Sequence, residues 1–273
     1  MSKLPFMKMH GTGNRILVVD NRTADVQPPS AVKLRQLCDT ATGPGFDQLM
    51  WLMKSDSEES VAAYRVFNTD GSEVEQCGNG LRCLAWLIAR DGQRAFSFES
   101  PAGIMPARVD ASGVIAVSMG APRFSPAEIP FIADEESLRY RLTVDDDSVD
   151  VSALSMGNPH VVVDVDDIAL APIERLGTRL ESHPRFPQKA NVGFAHYGAR
   201  DHIALRVFER GVGETLACGT GACAAVVSGI RRELLDEDVT VTVPGGELMV
   251  SWRGDDAWLS GQVTLDDEGI IDL

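Results

Sequence analysis

Two stretches of the chain decide the fold, namely "RVFNTDGSEVEQCGNG" (65–80) and "RVFERGVGETLACGTG" (206–221). They align without gaps at a separation of 141 positions, and seven of the sixteen aligned residues are identical. Further on, "SPAGIM" (100–105) resembles "VPGGEL" (243–248). These matches indicate an internal duplication of a unit of about 55 residues, in which a strand, a loop, a cysteine and a helix precede further strands. We therefore expect two domains related by a pseudo-two-fold axis.

The apolar pattern predicts short strands and few helices. Runs such as "RILVVD", "HVVVDV" and "VTVTV" are typical of strands, and turn signals such as Asp70-Gly71 separate them. Helical patterns extend over about 29–38 and 167–181, and two more follow the cysteine motifs, near 79–90 and 219–234. These elements predict an α+β fold with helices packed against antiparallel or mixed sheets. Residues 121–150, rich in proline and acidic residues, are expected to form a crossing linker.

Composition narrows the class of protein. The chain has 273 residues, 44% of them apolar, which is typical of a globular protein. A formal net charge of −15 argues against nucleic acid and anionic membranes as partners. The first residues contain no apolar signal region, and no apolar run approaches the length of a membrane span, so we expect a cytoplasmic protein. Its five cysteines are then expected to be reduced.

The cysteine motifs suggest acid–base chemistry. Cys77 and Cys218 each precede a Gly-x-Gly and a helical pattern, and Asn79 and Thr220 are predicted to be the helix N-caps. A thiol at a helix N-terminus lies near the positive end of the dipole, so its pKa is expected below about 8.5. The same N–H groups can bind a carboxylate. Two such motifs facing each other would supply a base and an acid on opposite faces of one carbon.

Other uses of these motifs fit the residues less well. The cysteine spacings within the motifs, Cys77 to Cys83 and Cys218 to Cys223, are longer than those of structural zinc sites, so we predict no metal. Neither motif is a complete G-x-G-x-x-G or carries a Walker lysine, which argues against nucleotide phosphate. A disulfide between Cys77 and Cys218 would be an oxidised, inactive form. We expect Cys38, Cys83 and Cys223 to be core or helix-face thiols.

The chain resembles the diaminopimelate epimerase family nearly from end to end. The resemblance rests on "KMHGTGN" (8–14), "GFDQL" (45–49), "FNTDGSEVEQCGNGLRC" (67–83), "SMGNPH" (155–160), "ANVGF" (190–194) and "ERGVGETLACGTGACA" (209–224). It implies two domains, each a sheet curled around a central helix, with the site in the cleft between them. It also implies interconversion of L,L- and meso-diaminopimelate without pyridoxal phosphate or another cofactor, in the synthesis of lysine and of peptidoglycan precursors.

The resemblance also implies roles for individual residues. Cys77 and Cys218 would be the two acid–base thiols, and His160 and Glu209 would support catalysis. Two pairs, Gly78-Asn79 and Gly219-Thr220, would hold the reacting carboxylate at the helix N-termini. The residues expected to line the site, several of them binding the far end of the substrate, are Asn14, Gln48, Asn68, Asn158, Asn191, Glu209 and Arg210.

Three further expectations concern the molecule as a whole. We expect an N-terminal domain with Cys77, residues 1–120 plus 263–273, and a C-terminal domain with Cys218, residues 121–262. Family members are commonly dimers, so a homodimer is possible for this chain. In one place the chain departs from the family pattern, because Arg15-Ile16 follows Asn14 where the family usually has Asp-Phe.

The sequence leaves two alternative functions open. A racemase of another amino acid on the same fold, such as histidine, would differ in the distal pocket, where Arg210 with Asn68, Asn158 and Asn191 favours a substrate with a second amino acid end. A small-molecule binding or isomerase-like protein that has lost epimerisation is the other alternative. The two intact Cys-Gly-x-Gly motifs argue against it, because a binding protein needs no pair of thiols.

Overall fold

The structure, a computed structural model, describes residues 3–24, 26–41, 43–74, 76–145 and 147–273. The chain divides into two units, each with its own core. We call Met1–Ser118 with Ser260–Leu273 the first unit, and Met119–Leu259 the second unit.

Strands dominate the first unit, and two helices accompany them. These elements are β1 (Lys3–Gly11), β2 (Asn14–Asp20), α1 (Ala31–Cys38), β3 (Gln48–Met53), β4 (Ala62–Asn68), β5 (Glu73–Val74), α2 (Gly78–Ala89), β6 (Ala95–Ser100), β7 (Gly103–Val109), β8 (Ile115–Ser118) and, at the other end of the chain, β18 (Thr264–Asp272). The strands pair in the order β18–β1–β2–β3–β4–β6–β7–β8, and β5 also pairs with β4. The pairs β2–β3 and β4–β6 are parallel, and the others are antiparallel.

The second unit is built in the same way. Its elements are β9 (Tyr140–Val144), β10 (Asp147–Ser155), β11 (Pro159–Asp164), α3 (Ile173–Glu181), β12 (Asn191–His196), β13 (His202–Glu209), β14 (Gly213–Thr215), α4 (Gly219–Arg231), β15 (Asp238–Val243), β16 (Gly246–Ser251) and β17 (Trp258–Ser260). The pairing order is β9–β10–β11–β12–β13–β15–β16, with β14 on β13, and the parallel pairs are β11–β12 and β13–β15.

The duplication therefore extends beyond the aligned sequence. Parallel and antiparallel pairs follow one another in the same order in both units, and β18 takes the place beside β1 that β9 takes beside β10. The repeat is visible even in side chains, since the ion pair Arg65–Glu73 has its counterpart in Arg206–Glu214, at 2.6 Å in each case. Each of these pairs joins the two strands of a short hairpin, β4–β5 or β13–β14.

One helix lies at the centre of each unit. Nine of the twelve residues of α2 are buried, and the helix contacts β1, β2 and β3 as well as β7 and β8. These strands stand at opposite ends of the pairing order, so the sheet curls around the helix. The helix α4 contacts β10, β11, β12, β13 and β16 in the same manner. The prediction of an α+β fold with a curled sheet around a central helix in each half is confirmed.

The second helix of each unit covers the outer face of the sheet. Successive residues of a strand point to opposite faces, so Leu49 and Trp51 of β3 join the core cluster under α1, with Leu34 and Leu37. In the second unit, α3 packs on β12 and β13. The approach is close at Gly177 of α3, where an added Cβ would come within 2.8 Å of the Phe208 ring.

Two expectations about elements are wrong. The helix expected over 167–181 is broken, because a 3₁₀ turn at Ile168–Leu170 ends before Pro172 and α3 begins at Ile173. Proline has no N–H to donate and restricts the residue before it, which separates the two helical segments. The expected linker 121–150 includes β9 and the first residues of β10, which pair with each other, so its acidic and proline-rich composition did not exclude strands.

Candidate active site

Each central helix begins directly after one of the two motif cysteines. Cys77 is extended (φ −141°, ψ 106°), its carbonyl accepts from Leu81 N at 2.8 Å, and its Sγ accepts from Gly80 N at 3.2 Å. Cys218 has the same conformation (φ −122°, ψ 110°), and its carbonyl accepts from Ala222 N at 2.9 Å. The cysteines are therefore the N-caps, and the prediction of Asn79 and Thr220 as caps is wrong. Gly78 and Gly219 are the first helical residues.

The last glycine of each motif leaves little room for a side chain. An added Cβ at Gly80 would lie 2.3 Å from Met50 Sδ, on β3. At Gly221 it would lie 3.0 Å from Val207 on β13 and 3.3 Å from the Cys218 sulfur. The absence of a side chain lets the helix N-terminus approach the strands and leaves the motif's N–H groups uncovered, as a carboxylate site at this place would need.

Asn79 accepts a hydrogen bond from a buried arginine that was not among the predicted site residues. Arg82 is fully buried in α2, and its Nη2 donates to Asn79 Oδ1 at 2.6 Å and to Thr12 Oγ1 at 3.1 Å. Asn79 is itself buried. The only signal in the sequence was a charged residue in the otherwise apolar run "GLRCLAWLIA". A positive charge thus lies beneath the first turn of α2, next to one of the predicted carboxylate ligands.

In the first unit, three predicted site residues form one chain of amide groups. Asn14 Nδ2 donates to Gln48 Oε1 at 3.3 Å, and Gln48 Nε2 donates to Asn68 Oδ1 at 3.1 Å. The strands bring them together, because β2 and β3 run parallel and Gln48 lies opposite Asn68 in the β3–β4 pair. These amides supply donors and acceptors of the kind that a zwitterionic amino acid end requires.

The departure from the family pattern after Asn14 leaves this arrangement intact. Arg15 is exposed and pairs with Asp47, at 2.6 Å between Nη2 and Oδ1, and its own N–H also donates to that carboxylate. Ile16 is fully buried in β2, opposite Gln48 on β3. The ion pair fixes the ends of the two strands beside Gln48.

Four predicted site residues lie together in the second unit, namely Asn158, His160, Asn191 and Arg210. His160 lies opposite Asn191 in the parallel β11–β12 pair, and its Nε2 donates to Asn158 Oδ1 at 2.9 Å. Asn191 Oδ1 accepts from Arg210 N at 3.0 Å. Burial, together with the positive charge of Arg210, lowers the pKa of His160 to about 3, so the imidazole is neutral. Its Nδ1 is buried and has no hydrogen-bond partner among the described residues.

The third group surrounds Cys218 in the same unit. Glu209 accepts from Thr215 Oγ1 at 2.5 Å, and its carboxyl lies beside the Cys218 thiol. The Cys218 sulfur also lies 3.5 Å from Thr220 Oγ1. Burial raises the pKa of Glu209, and the Thr215 hydroxyl acts in the opposite direction. Thr215 was not predicted, since its contact follows from the β13–β14 pairing and from no motif.

The expectation of a lowered thiol pKa is wrong for Cys218. Burial raises its pKa well above the ordinary value, and the negative charge of Glu209 acts in the same direction. The Thr220 hydroxyl and the N–H of Gly221 favour the thiolate but are outweighed. At neutral pH Cys218 is therefore a protonated thiol with the Glu209 carboxyl group beside it.

The described residues lack two kinds of feature. No helix in that part of the chain is long and apolar enough to cross a membrane. The same residues contain no group of three or more His, Cys, Asp or Glu side chains arranged to hold a metal ion.

Known proteins match this chain over nearly its whole length. A family profile described as diaminopimelate epimerase matches residues 6–125 and 152–267. The chain belongs to the diaminopimelate epimerase family. Diaminopimelate epimerase of Nitrosomonas europaea is 49% identical over 99% of this chain and 100% of its own length. That of Ectopseudomonas mendocina is 48% identical over 92% of each chain. As a member of this family the protein is an isomerase, as predicted.

Solved structures with much lower identity share the fold. A hydroxyproline epimerase from Agrobacterium vitis, with bound trans-4-hydroxy-L-proline, superimposes with a TM-score of 0.72 at 13% identity, covering 99% of this chain and 91% of that one. A phenazine biosynthesis protein of the PhzF family from Bacillus anthracis gives 0.67 at 16% identity, covering both chains completely. This chain therefore shares its fold with proteins of other named functions.

Proposed function

We propose that this protein interconverts the L,L and meso stereoisomers of diaminopimelate by moving protons on the two faces of one α-carbon. The observation that carries the proposal is the pair of cysteine-capped central helices, one in each unit of a member of the diaminopimelate epimerase family. The substrate is a small molecule. Its place in the synthesis of lysine and of peptidoglycan precursors follows from the family.

Cys77 and Cys218 are proposed as the two acid–base groups. In one direction a thiolate removes the α-proton and becomes a thiol, while the other thiol gives its proton to the opposite face and becomes a thiolate. The state of Cys218 supports its role as a proton donor, because burial keeps the thiol protonated. For the reverse direction Glu209 lies where it can take the proton from Cys218. The net change is inversion, with no proton gained or lost.

The carboxylate on the reacting carbon is proposed to bind at the helix N-termini. Proton removal builds negative charge on this group, and N–H donors aimed at it stabilise the transition state more than the ground state. The first residues of the two helices, Gly78-Asn79 and Gly219-Thr220, carry these donors. The buried Arg82 adds positive charge on the α2 side.

The far end of the substrate is proposed to bind the amide groups and Arg210. A second amino acid end carries an ammonium and a carboxylate, which need acceptors and a cation. The amide chain of Asn14, Gln48 and Asn68 and the group of Asn158 and Asn191 offer the acceptors. Arg210 offers a guanidinium that can bind a carboxylate through two parallel hydrogen bonds. His160, neutral and buried, is proposed to support catalysis.

Two broader expectations are carried forward as proposals. We propose a homodimer in the cytoplasm, on the strength of the family resemblance. We also propose the domain division given above, residues 1–120 plus 263–273 and residues 121–262, as the two functional halves with one thiol each.

The reaction is tested by incubating the reduced protein with L,L-diaminopimelate in D₂O, without pyridoxal phosphate or added metal. We expect meso product carrying deuterium at the inverted α-carbon. Replacing Cys77 or Cys218 by alanine should lower the rate by roughly 100- to 10,000-fold, the usual contribution of an acid–base group. Cys38→Ala, which changes a cysteine outside both motifs, is the matched control and should retain the rate. Normal turnover by either motif variant would exclude the two-thiol mechanism.

The same experiment separates the alternative substrate. A racemase of another amino acid would leave diaminopimelate unlabelled and would incorporate deuterium into that amino acid, for which histidine is the first to try. The presence of Arg210 near His160 and Asn191 favours diaminopimelate, because histidine has no second carboxylate to bind.

A further inference from the structure

Glu181, the last residue of α3, is a buried acid that the proposed reaction does not use. Its Oε1 accepts from the main-chain N–H of Gly211 at 2.9 Å and from Lys189 Nζ at 3.3 Å. The Glu181 side chain is 10% exposed, whereas Lys189 is 55% exposed. A carboxylate removed from water costs free energy unless it gains partners, and here one of the partners is the main chain next to Arg210.

The turn that carries Arg210 is held from several sides. Arg210 N donates to Asn191 Oδ1 at 3.0 Å, and its Nη1 donates to the carbonyl of Gln188 at 3.0 Å. Gly211 follows with φ +76°, and its N–H points to Glu181. The main chain of Glu181 in turn accepts from Ala190 N at 3.0 Å. The end of α3 and residues 188–191 thus bind the main-chain N–H groups of Arg210 and Gly211 as well as the guanidinium of Arg210.

The duplication provides an internal comparison for this turn. The position of Arg210 corresponds to Thr69 in the first unit, which carries no charge. Both turns close through the same main-chain hydrogen bond, from Gly71 N to Asn68 O and from Val212 N to Glu209 O, at 3.0 Å in each case. In the first unit Asp70 Oδ1 also accepts from Ser72 N at 2.8 Å. The outer helix of the first unit, α1, carries the exposed Arg35, whose side chain donates to the main-chain carbonyl of Asp70. In the second unit, by contrast, the outer helix α3 supplies a buried acid, Glu181, to the turn that carries Arg210.

We propose that Glu181 is a positioning residue that fixes the main chain at Gly211 and thereby aims the Arg210 guanidinium at the far carboxylate of the substrate. Lys189 balances the charge of Glu181, so that the positive charge of Arg210 stays available. This inference rests on the proposed function. It assigns Glu181 to substrate affinity and to selectivity for a substrate with a second carboxylate, and leaves the proton transfers to the thiols.

The test is a set of Glu181 variants assayed with L,L-diaminopimelate. Glu181→Ala should raise KM about tenfold or more, the size expected for one lost hydrogen bond to a binding turn, with little change in kcat. Glu181→Gln keeps an oxygen that can accept from Gly211 N–H and should restore most of the affinity. Glu174→Ala, an exposed acid on the same helix, is the matched control and should behave as wild type.

A double-mutant cycle decides whether Glu181 acts through Arg210. In an Arg210→Ala background, Glu181→Ala should add almost nothing to KM, because the group that it positions is gone. If the two effects are additive, or if Glu181→Ala lowers kcat and leaves KM unchanged, the inference is wrong. If Glu181→Ala does not fold, Glu181→Asp gives the same test, because the shorter side chain keeps the charge but moves the carboxylate away from Gly211 N–H. Wild-type protein without activity on diaminopimelate would refute the proposed function itself.

Discussion

A buried neutral imidazole makes the stability of the second unit depend on pH. The pKa of His160 is about 3 in the folded protein, below its ordinary value of 6.5. Below about pH 6.5 the unfolded chain binds a proton at this side chain that the folded protein does not. The free energy of unfolding should therefore fall as the pH drops from 6.5 towards 3, with a limiting slope of about 1.4 kcal/mol per pH unit from this residue.

The measurement is urea unfolding followed by circular dichroism at pH values from 7 to 4. His160→Asn removes the titrating group, so its stability should fall less steeply with pH than that of the wild type, whatever the stability at pH 7. His202→Asn, which replaces an exposed histidine in the same unit, is the control. Equal slopes for wild type and His160→Asn would show that another group causes the acid sensitivity.

Site residues that belong to a sequence motif could be predicted, whereas residues that reach the site only through the folding of the chain could not. The cysteines, their glycines and the amide residues could be named from the sequence and from the resemblance. Thr215 and Glu181 could not, because their contacts depend on strand pairing or on a turn 30 residues further along the chain. Arg82 was missed, although its partner Asn79 is three residues away, because the sequence does not show that its charge is buried. The pKa of Cys218 was misjudged because a helix N-terminus can be read from sequence, whereas the burial of its cap cannot.

At the scale of elements, the contact of α3 with β13 depends on one residue without a side chain. Alanine in place of glycine normally stabilises a helix by up to about 1 kcal/mol. At Gly177 the new Cβ would lie 2.8 Å from the Phe208 ring, and overpacking of a core typically costs about 1–3 kcal/mol. We expect the second effect to prevail, so Gly177→Ala should lower the free energy of unfolding by about 1–2 kcal/mol.

Thermal and urea unfolding measure this difference, with Thr178→Ala as the control. Thr178 is the next residue of α3 and is exposed, so its replacement tests helix propensity without new packing. A Gly177→Ala protein as stable as the wild type would mean that α3 can move away from the sheet at no cost.

Helices were predicted well where apolar residues recur at helical spacing and a residue typical of a helix end marks the boundary. The helix expected near 79–90 is Gly78–Ala89, and that expected over 29–38 is Ala31–Cys38, which Ser30 caps. The break at Pro172 and the strands within 121–150 were missed. β9 itself contains no proline or acid and alternates buried and exposed residues, whereas the acidic residues Asp147 and Asp150 occupy exposed positions at the start of β10.

At the scale of the molecule, the two units differ in how their sequences are arranged. The second unit is one continuous segment, whereas the first needs β18 from the far end of the chain. We expect residues 119–259 to fold alone and to unfold cooperatively in urea. Residues 1–118 alone should not, because β1 loses its pairing with β18 and buried side chains such as Leu4 and Met7 lose their cover.

A rearranged fragment is the control for this prediction. Lys3 lies opposite Asp272 in the β1–β18 pair, so residues 260–273 can precede residue 3 through a short glycine-rich turn. Placing them there should restore cooperative unfolding to the first unit. Folding of residues 1–118 without this segment would show that β18 is dispensable.

The pairing of β18 with β1 also sets an order of events on the ribosome. When the last residues of the second unit have left the exit tunnel, every strand of that unit is available to fold. The first unit, although translated earlier, must wait with the apolar side of β1 unprotected until β18 has also been translated. A chaperone that shields nascent chains would therefore be needed most by the half of the protein that is made first.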